Sequence, residues 1–238
     1  MVSNSDRQYL QSLKRGLKEG AGLVNAMRRR LYGPITSVQI ADKVAALTFD
    51  DGPNPVYTPR LLEILRRYDA KATFFMLGKA AREHPDLVEA VAKAGHVVGN
   101  HSYSHRDFRA ISRHQRKNEV LECSKSLKEY ESKIFRPPFG HENLVCHFDV
   151  RSLGYTVVKW TICGDDWKQL SGTEISDRII RRLRPGAIIL LHDNNAKNPW
   201  ADKNSMLEAV ERILQVTTGT YKYLTIPEMF ERGHPRTG

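Results

Sequence analysis

The stretch VAALTFDDGP (44–53) runs from an apolar segment into two adjacent carboxylates, Asp50 and Asp51, and then into Gly52-Pro53. A short apolar run ended by turn formers reads as a strand buried on both faces. After it, TPRLLEILRRY (58–68) has helical spacing, with Thr58 as cap and Pro59 at the first position. KATFFML (71–77) is the next strand, residues 80–94 a helix closed by Gly95, and HVVGN (96–100) a strand. Residues 112–132 read as a long helix and FRPPFG (135–140) as a short strand running into a loop. The series continues with a helix over 143–153, a strand at YTVVKW (155–160), a helix over 173–183 and a strand at AIILLH (187–192). A helix near 204–216 and a strand near 222–225 complete it.

Strands separated by helices imply βαβ units and a parallel sheet. About seven such units suggest a closed or nearly closed barrel. Asp50, Asp51, His101, Arg136, Asp166 and His192 all fall at or just beyond the C-terminal end of an expected strand, which is the active-site face of a barrel. The expected organisation is a basic N-terminal extension over 1–43, a barrel domain over 44–232 and a tail over 233–238.

The 238 residues carry a formal charge of +10, with 40% hydrophobic and 27% charged residues, as in a globular chain. No apolar run is long enough for a spanning helix. Residues 1–40 hold seven basic side chains against Asp6 and Glu19, a local excess of +5. Leu10, Leu13 and Leu17, then Val24, Met27 and Leu31, could form apolar stripes between them. Such a segment either packs across the barrel as a helical extension or lies on an anionic membrane. No nucleic-acid motif accompanies the charge, so nucleic acid is not an expected partner. Cys123, Cys146 and Cys163 form neither a CxxC pair nor a disulfide framework. The opening residues lack an apolar secretory h-region, so a cytoplasmic location is expected, with peripheral contact at the inner membrane face as an option.

The chemistry rests on a few polar groups. Asp50 and Asp51 can divide their work, one binding a metal and the other facing a reacting water, although DDGP by itself is also an ordinary turn. His101 and His105 in HSYSH have the i, i+4 spacing that sets two imidazoles on one side of a helical turn. Two His and one Asp leave open positions on a hydrolytic zinc. His192 is either a satisfied buried histidine or a proton donor on the leaving-group side, with Asp166 as its carboxylate. Trp167 is either ordinary packing or a pocket wall.

Taken in order, TFDDGP (48–53), HSYSH (101–105), RPPFG (136–140), DW (166–167) and LLH (190–192) resemble the NodB-homology polysaccharide deacetylases, carbohydrate esterase family 4. The resemblance covers roughly 44–230. It implies an α/β fold, a distorted barrel of seven to eight β/α units. It implies Asp50 as general base and Asp51, His101 and His105 as metal ligands. Arg136 would orient Asp50, and the Phe139 N–H would face the oxyanion. His192 would be the acid tuned by Asp166, with Trp167 and Leu190 lining the acetyl pocket. One position departs: Cys163 stands where the family usually has an acidic or amide residue, and Asp165 is the candidate to compensate. The expected activity is metal-dependent removal of N-acetyl groups from N-acetylglucosamine-type oligosaccharide, polysaccharide or lipid-linked amino sugar. The expected ion is Zn2+, with Co2+ or Ni2+ as alternatives. An O-acetyl esterase and a non-catalytic sugar-binding barrel are the competing readings.

Overall fold

The computed structural model describes residues 33–238. Among them the strands are β1 (Ile35–Gln39), β2 (Val44–Asp50), β3 (Ala72–Met76), β4 (Val97–Asn100), β5 (Glu131–Phe135), β6 (Thr156–Val157), β7 (Ile162–Cys163), β8 (Ala187–His192), β9 (Lys222–Tyr223) and β10 (His234–Thr237). The helices are α1 (Tyr57–Arg67), α2 (Gly78–Glu83), α3 (Pro85–Lys93), α4 (Arg113–Leu127), α5 (Leu144–Arg151), α6 (Gly172–Ile180), α7 (Asn204–Thr217) and α8 (Ile226–Arg232). They form an α/β fold with one curled sheet, ordered β10-β1-β8-β2-β3-β4-β5-β6, with β7 beside β8 and β9 beside β2. β1 runs antiparallel to both its neighbours, and the other pairs are parallel. A single bridge between Ile35 of β1 and Val158, just past β6, curls the sheet into a distorted barrel.

Every residue of β2 is buried, as its apolar run requires. The period-two alternation then sorts side chains between two cores. Ala45, Leu47 and Phe49 of β2 and Ile189 and Leu191 of β8 pack outward with Leu61, Leu65 and Ile213 of the helices. Val44, Ala46 and Ile188 face the interior with Phe75, Ile134 and Val158. By the same alternation Thr48, Asp50, Leu190 and His192 point inward near the C-terminal ends. Register completes the placement: Asp50 stands directly opposite His192 on one side and Phe75 on the other.

Several sequence expectations need correction. The domain does not begin at residue 44, because β1 is hydrogen-bonded into the sheet, and 233–238 is not a free tail, because β10 pairs with β1. Residues 1–32, with the two apolar stripes and all of the local +5 excess, lie outside the described residues. The helix over 80–94 is two helices, divided at His84 by Pro85, which has no N–H to donate. The helix over 112–132 stops at Leu127, where Lys128 turns to φ 55°, so the strand leading to Arg136 begins at Glu131 rather than at residue 135. Only Thr156 and Val157 of YTVVKW join the ladder as a strand. Thr58 does not cap α1; its hydroxyl donates to Asp193 Oδ2 at 2.5 Å and accepts from Asn54 N.

Candidate active site

Asp50, Asn100, Phe135, Cys163 and His192 are each the last residue of their strands, so the groups that follow them gather at one end of the barrel. Asp50 Oδ1 accepts a 2.7 Å hydrogen bond from Arg136 Nη1. Arg136 has no exposed surface. All three of its nitrogens donate: Nη1 also to Thr48 Oγ1, Nη2 to Lys159 O and Nε to Val158 O. The guanidinium lies over the Phe75 ring at 4.1 Å and near Trp160 at 5.7 Å. Burial, the largest influence, raises the Asp50 carboxyl above its ordinary value, against the lowering effect of Arg136. A carboxylate held this way is fixed in direction and has the basicity that proton abstraction needs.

Asp51 turns away from Asp50 through a positive φ of 74° and meets two imidazoles. Its Oδ1 lies 3.3 Å from His105 Nε2 and 3.5 Å from His101 Nε2. Ligands held about 2.0–2.1 Å from one tetrahedral zinc stand about 3.3 Å apart, so these separations suit a shared ion. One ligand atom from each of the three lies within 4.8 Å of the others. Asp51 Oδ1 is buried with no hydrogen-bond donor, a costly state for a carboxylate oxygen unless a cation takes the place of the donor. His101 Nδ1 pairs with Arg136 O at 2.8 Å, which assigns its proton to Nδ1 and leaves the Nε2 lone pair for a metal. Burial, the main influence, lowers His101 to about 3 and also lowers His105, so both rings are neutral donors. The donor set fits a divalent ion. The two histidines do not share a helical turn, however. Residues 101–107 form a loop in which Ser102 and His105 take positive φ values of 71° and 59°, and this backbone brings the rings to 5.2 Å.

Across the cavity, His192 Nδ1 bonds Asp166 Oδ1 at 2.9 Å, and His192 N donates to Asp166 Oδ2 at 3.0 Å. Burial pulls His192 down, but the Asp166 charge and hydrogen bond, with Asp51 and Asp50 beyond, outweigh it and push His192 up to about 9. Burial would raise Asp166, yet His192 and Lys203 together hold it below its ordinary value. Trp167 meets the His192 ring edge-on at 5.3 Å, and Phe139 meets His105 at 4.4 Å. Phe139 adopts φ 59° in the loop after Arg136. These groups and Leu190 line a cavity of about 490 Å³. It therefore brings together Asp50, Asp51, His101, His105, Phe139, Trp167, Leu190 and His192, with Arg136 and Asp166 directly behind.

Sequence reasoning missed the loop after β8. Ala196 N donates to Asp51 Oδ2 at 3.1 Å, and Asn194 Nδ2 donates to Asp51 O at 3.2 Å, so this loop fixes the Asp51 carboxylate. Lys203, almost fully buried, brings its Nζ to 3.5 Å from Asp166 Oδ2. Asp165 does not compensate for Cys163: it takes φ 57° and turns outward to Lys168 and Arg178 at 3.0 and 2.8 Å. Nε and Nη2 of Arg136 instead donate to the backbone carbonyls of Val158 and Lys159.

The model of the polysaccharide deacetylase family matches residues 38–158. A peptidoglycan-N-acetylglucosamine deacetylase of Bacillus cereus is 34% identical over 198 residues, covering 81% of this chain and 91% of that protein. A chitooligosaccharide deacetylase of Sinorhizobium fredii is 36% identical, covering 62% of this chain and 70% of its own length. Among solved structures, the Bc1960 peptidoglycan N-acetylglucosamine deacetylase in complex with 4-naphthalen-1-yl-N-oxidanyl-benzamide superposes with a TM-score of 0.78. It is 30% identical, with 86% of this chain and 96% of that chain covered.

Proposed function

The chain belongs to the polysaccharide deacetylase family, and from that premise we propose that it hydrolyses the acetamide of N-acetylglucosamine-type oligosaccharide, polysaccharide or lipid-linked amino sugar, releasing acetate. The observation that carries this reading is the buried, donorless Asp51 Oδ1 beside two neutral imidazoles, facing the His192–Asp166 pair across one cavity.

Asp51, His101 and His105 would hold a divalent ion, and zinc suits two imidazoles and a carboxylate; Co2+ or Ni2+ suit them too. When bound, the ion supplies Lewis-acid polarisation of the amide carbonyl and acidifies water. Asp50, oriented by Arg136, accepts the proton of the attacking water. The Phe139 N–H donates to the oxygen that gains negative charge. An amide nitrogen leaves only when protonated, and His192, charged at neutral pH, donates that proton from the opposite wall. Trp167 and Leu190 enclose the acetyl methyl. Acetate release from N-acetylglucosamine oligomers, with acetylxylan as the comparison, tests the reading. Activity on the oligomers supports it; activity confined to acetylxylan makes the protein an ester hydrolase instead.

The basic residues of 1–40 favour a further reading, peripheral contact with an anionic membrane on its cytoplasmic side. Sedimentation with phosphatidylglycerol vesicles, for the full chain and for a variant with Arg28, Arg29 and Arg30 changed to Glu, tests it. Equal binding by both would end it.

A further inference from the structure

Lys203 occupies the cap position immediately before α7, and no side-chain cap bond is made there. That site favours Ser, Thr, Asp or Asn, which can accept the first N–H groups. A cation there also faces the positive end of the helix dipole. Burial adds a desolvation cost, since Lys203 is only 4% exposed. Three unfavourable effects meet at one side chain, and its carboxylate neighbours supply the compensation.

Asp166 Oδ1 is occupied by His192 Nδ1, and Oδ2 receives the His192 backbone N–H. Lys203 Nζ, 3.5 Å from Oδ2, is the third positive or donating group on this carboxylate. Asp193 is a second carboxyl facing Lys203, pushed up to about 7 by burial. It is fully buried, its Oδ2 accepts from Thr58, and its Oδ1 has no hydrogen-bond partner. Lys203 also borders the catalytic cavity.

We propose that Lys203 is a positioning residue for proton donation, its ammonium fixing the Asp166 carboxylate behind His192 and sharing the negative charge that would otherwise hold the imidazolium proton. The proposal rests on His192 being the donor. Lys203 therefore works through Asp166 and need not touch the substrate.

A double-mutant cycle on the zinc-loaded full chain, with an N-acetylglucosamine oligomer as substrate, separates these roles. Lys203→Met is expected to lower kcat about tenfold or more while KM moves less than about twofold. Lys203→Arg, which restores the charge, should keep kcat within about threefold of the parent. In an Asp166→Asn background the same Lys203→Met change should lower kcat by less than about twofold, because the group it acts through is already neutral. Lys203→Gln is carried through the same cycle, so that a folding failure of the Met variant still leaves a reading. An equal loss of kcat in both backgrounds overturns the proposal, as does a rise in KM with kcat intact. His192→Gln with undiminished kcat would overturn the donor reading itself; a silent Lys203→Met beside an inactive His192→Gln overturns only the part given to Lys203.

Discussion

Arg136 Nη1 donates to Asp50 Oδ1 at 2.7 Å from a position with no exposed surface, and the same nitrogen reaches Thr48 Oγ1 at 2.7 Å. A single buried guanidinium thus ties the end of β5 to β2 and sets the direction of the carboxylate proposed to accept the water proton. Arg136→Met would leave that carboxylate buried without its counter-charge. Breaking a buried pair from one side costs about 3–5 kcal/mol, so a loss of that order is expected in urea unfolding. With the strongest influence opposing burial removed, Asp50 is driven further toward its neutral form, and kcat should drop about a hundredfold or more. A variant that keeps both stability and kcat would show that the pair does not matter.

If His192 is the proton donor, it should set the alkaline side of the pH profile. Its folded value of about 9 lies above the unfolded 6.5. The stability gained from its proton is therefore complete below about 6.5 and fades as pH rises through about 9. The rate should fall over the same upper range as the acid form is lost. Asp166→Asn removes the charge that raises His192, so the alkaline limb of kcat should move to lower pH. A limb that stays in place after that substitution contradicts the pairing.

Gly52 follows Asp51 and lies against Asp193. A Cβ there would come within 2.5 Å of both Asp193 carboxylate oxygens, which are themselves fully buried. Gly52→Ala should destabilise the fold by about 1–3 kcal/mol through overpacking. It should also weaken metal binding, since the loop holding Asp51 must shift. Calorimetric unfolding together with a zinc titration would show both effects; an unchanged melting temperature would contradict the crowding.

The three cysteines should be inert in the folded protein. Cys123 and Cys146 are buried, and burial pushes the half-buried Cys163 up to about 12, leaving almost no thiolate at pH 8. Treatment with iodoacetamide at that pH should label none of them until denaturant is added. Rapid native labelling of Cys163 would show that the end of β7 is more open than the structure has it.

Most of the barrel was legible because its strands are buried on both faces. VAALTF and AIILLH announce themselves as apolar runs, and whatever ends them must sit at the barrel mouth, which located Asp50 and His192. β1 (ITSVQ) and β10 (HPRT) carry mixed, partly exposed patterns and offered no comparable signal. The pairing of His101 with His105 was anticipated, but for a helical reason; the positive φ values at Ser102 and His105 do that work, and spacing alone cannot distinguish the two. Asn194 and Lys203 lie in a loop without periodicity, where contacts made across the barrel leave no trace in the local pattern. The one clue was a lysine standing just ahead of a helix, where a capping residue is preferred.

Metal titration of the chelator-stripped protein, followed by acetate release from an N-acetylglucosamine oligomer, tests the central claim that Asp51, His101 and His105 hold the ion on which hydrolysis depends. One zinc should bind per chain and restore activity in proportion to occupancy, and Asp51→Ala or His101→Ala should abolish both. Undiminished binding in those variants, or a fully loaded protein that releases no acetate, would contradict it.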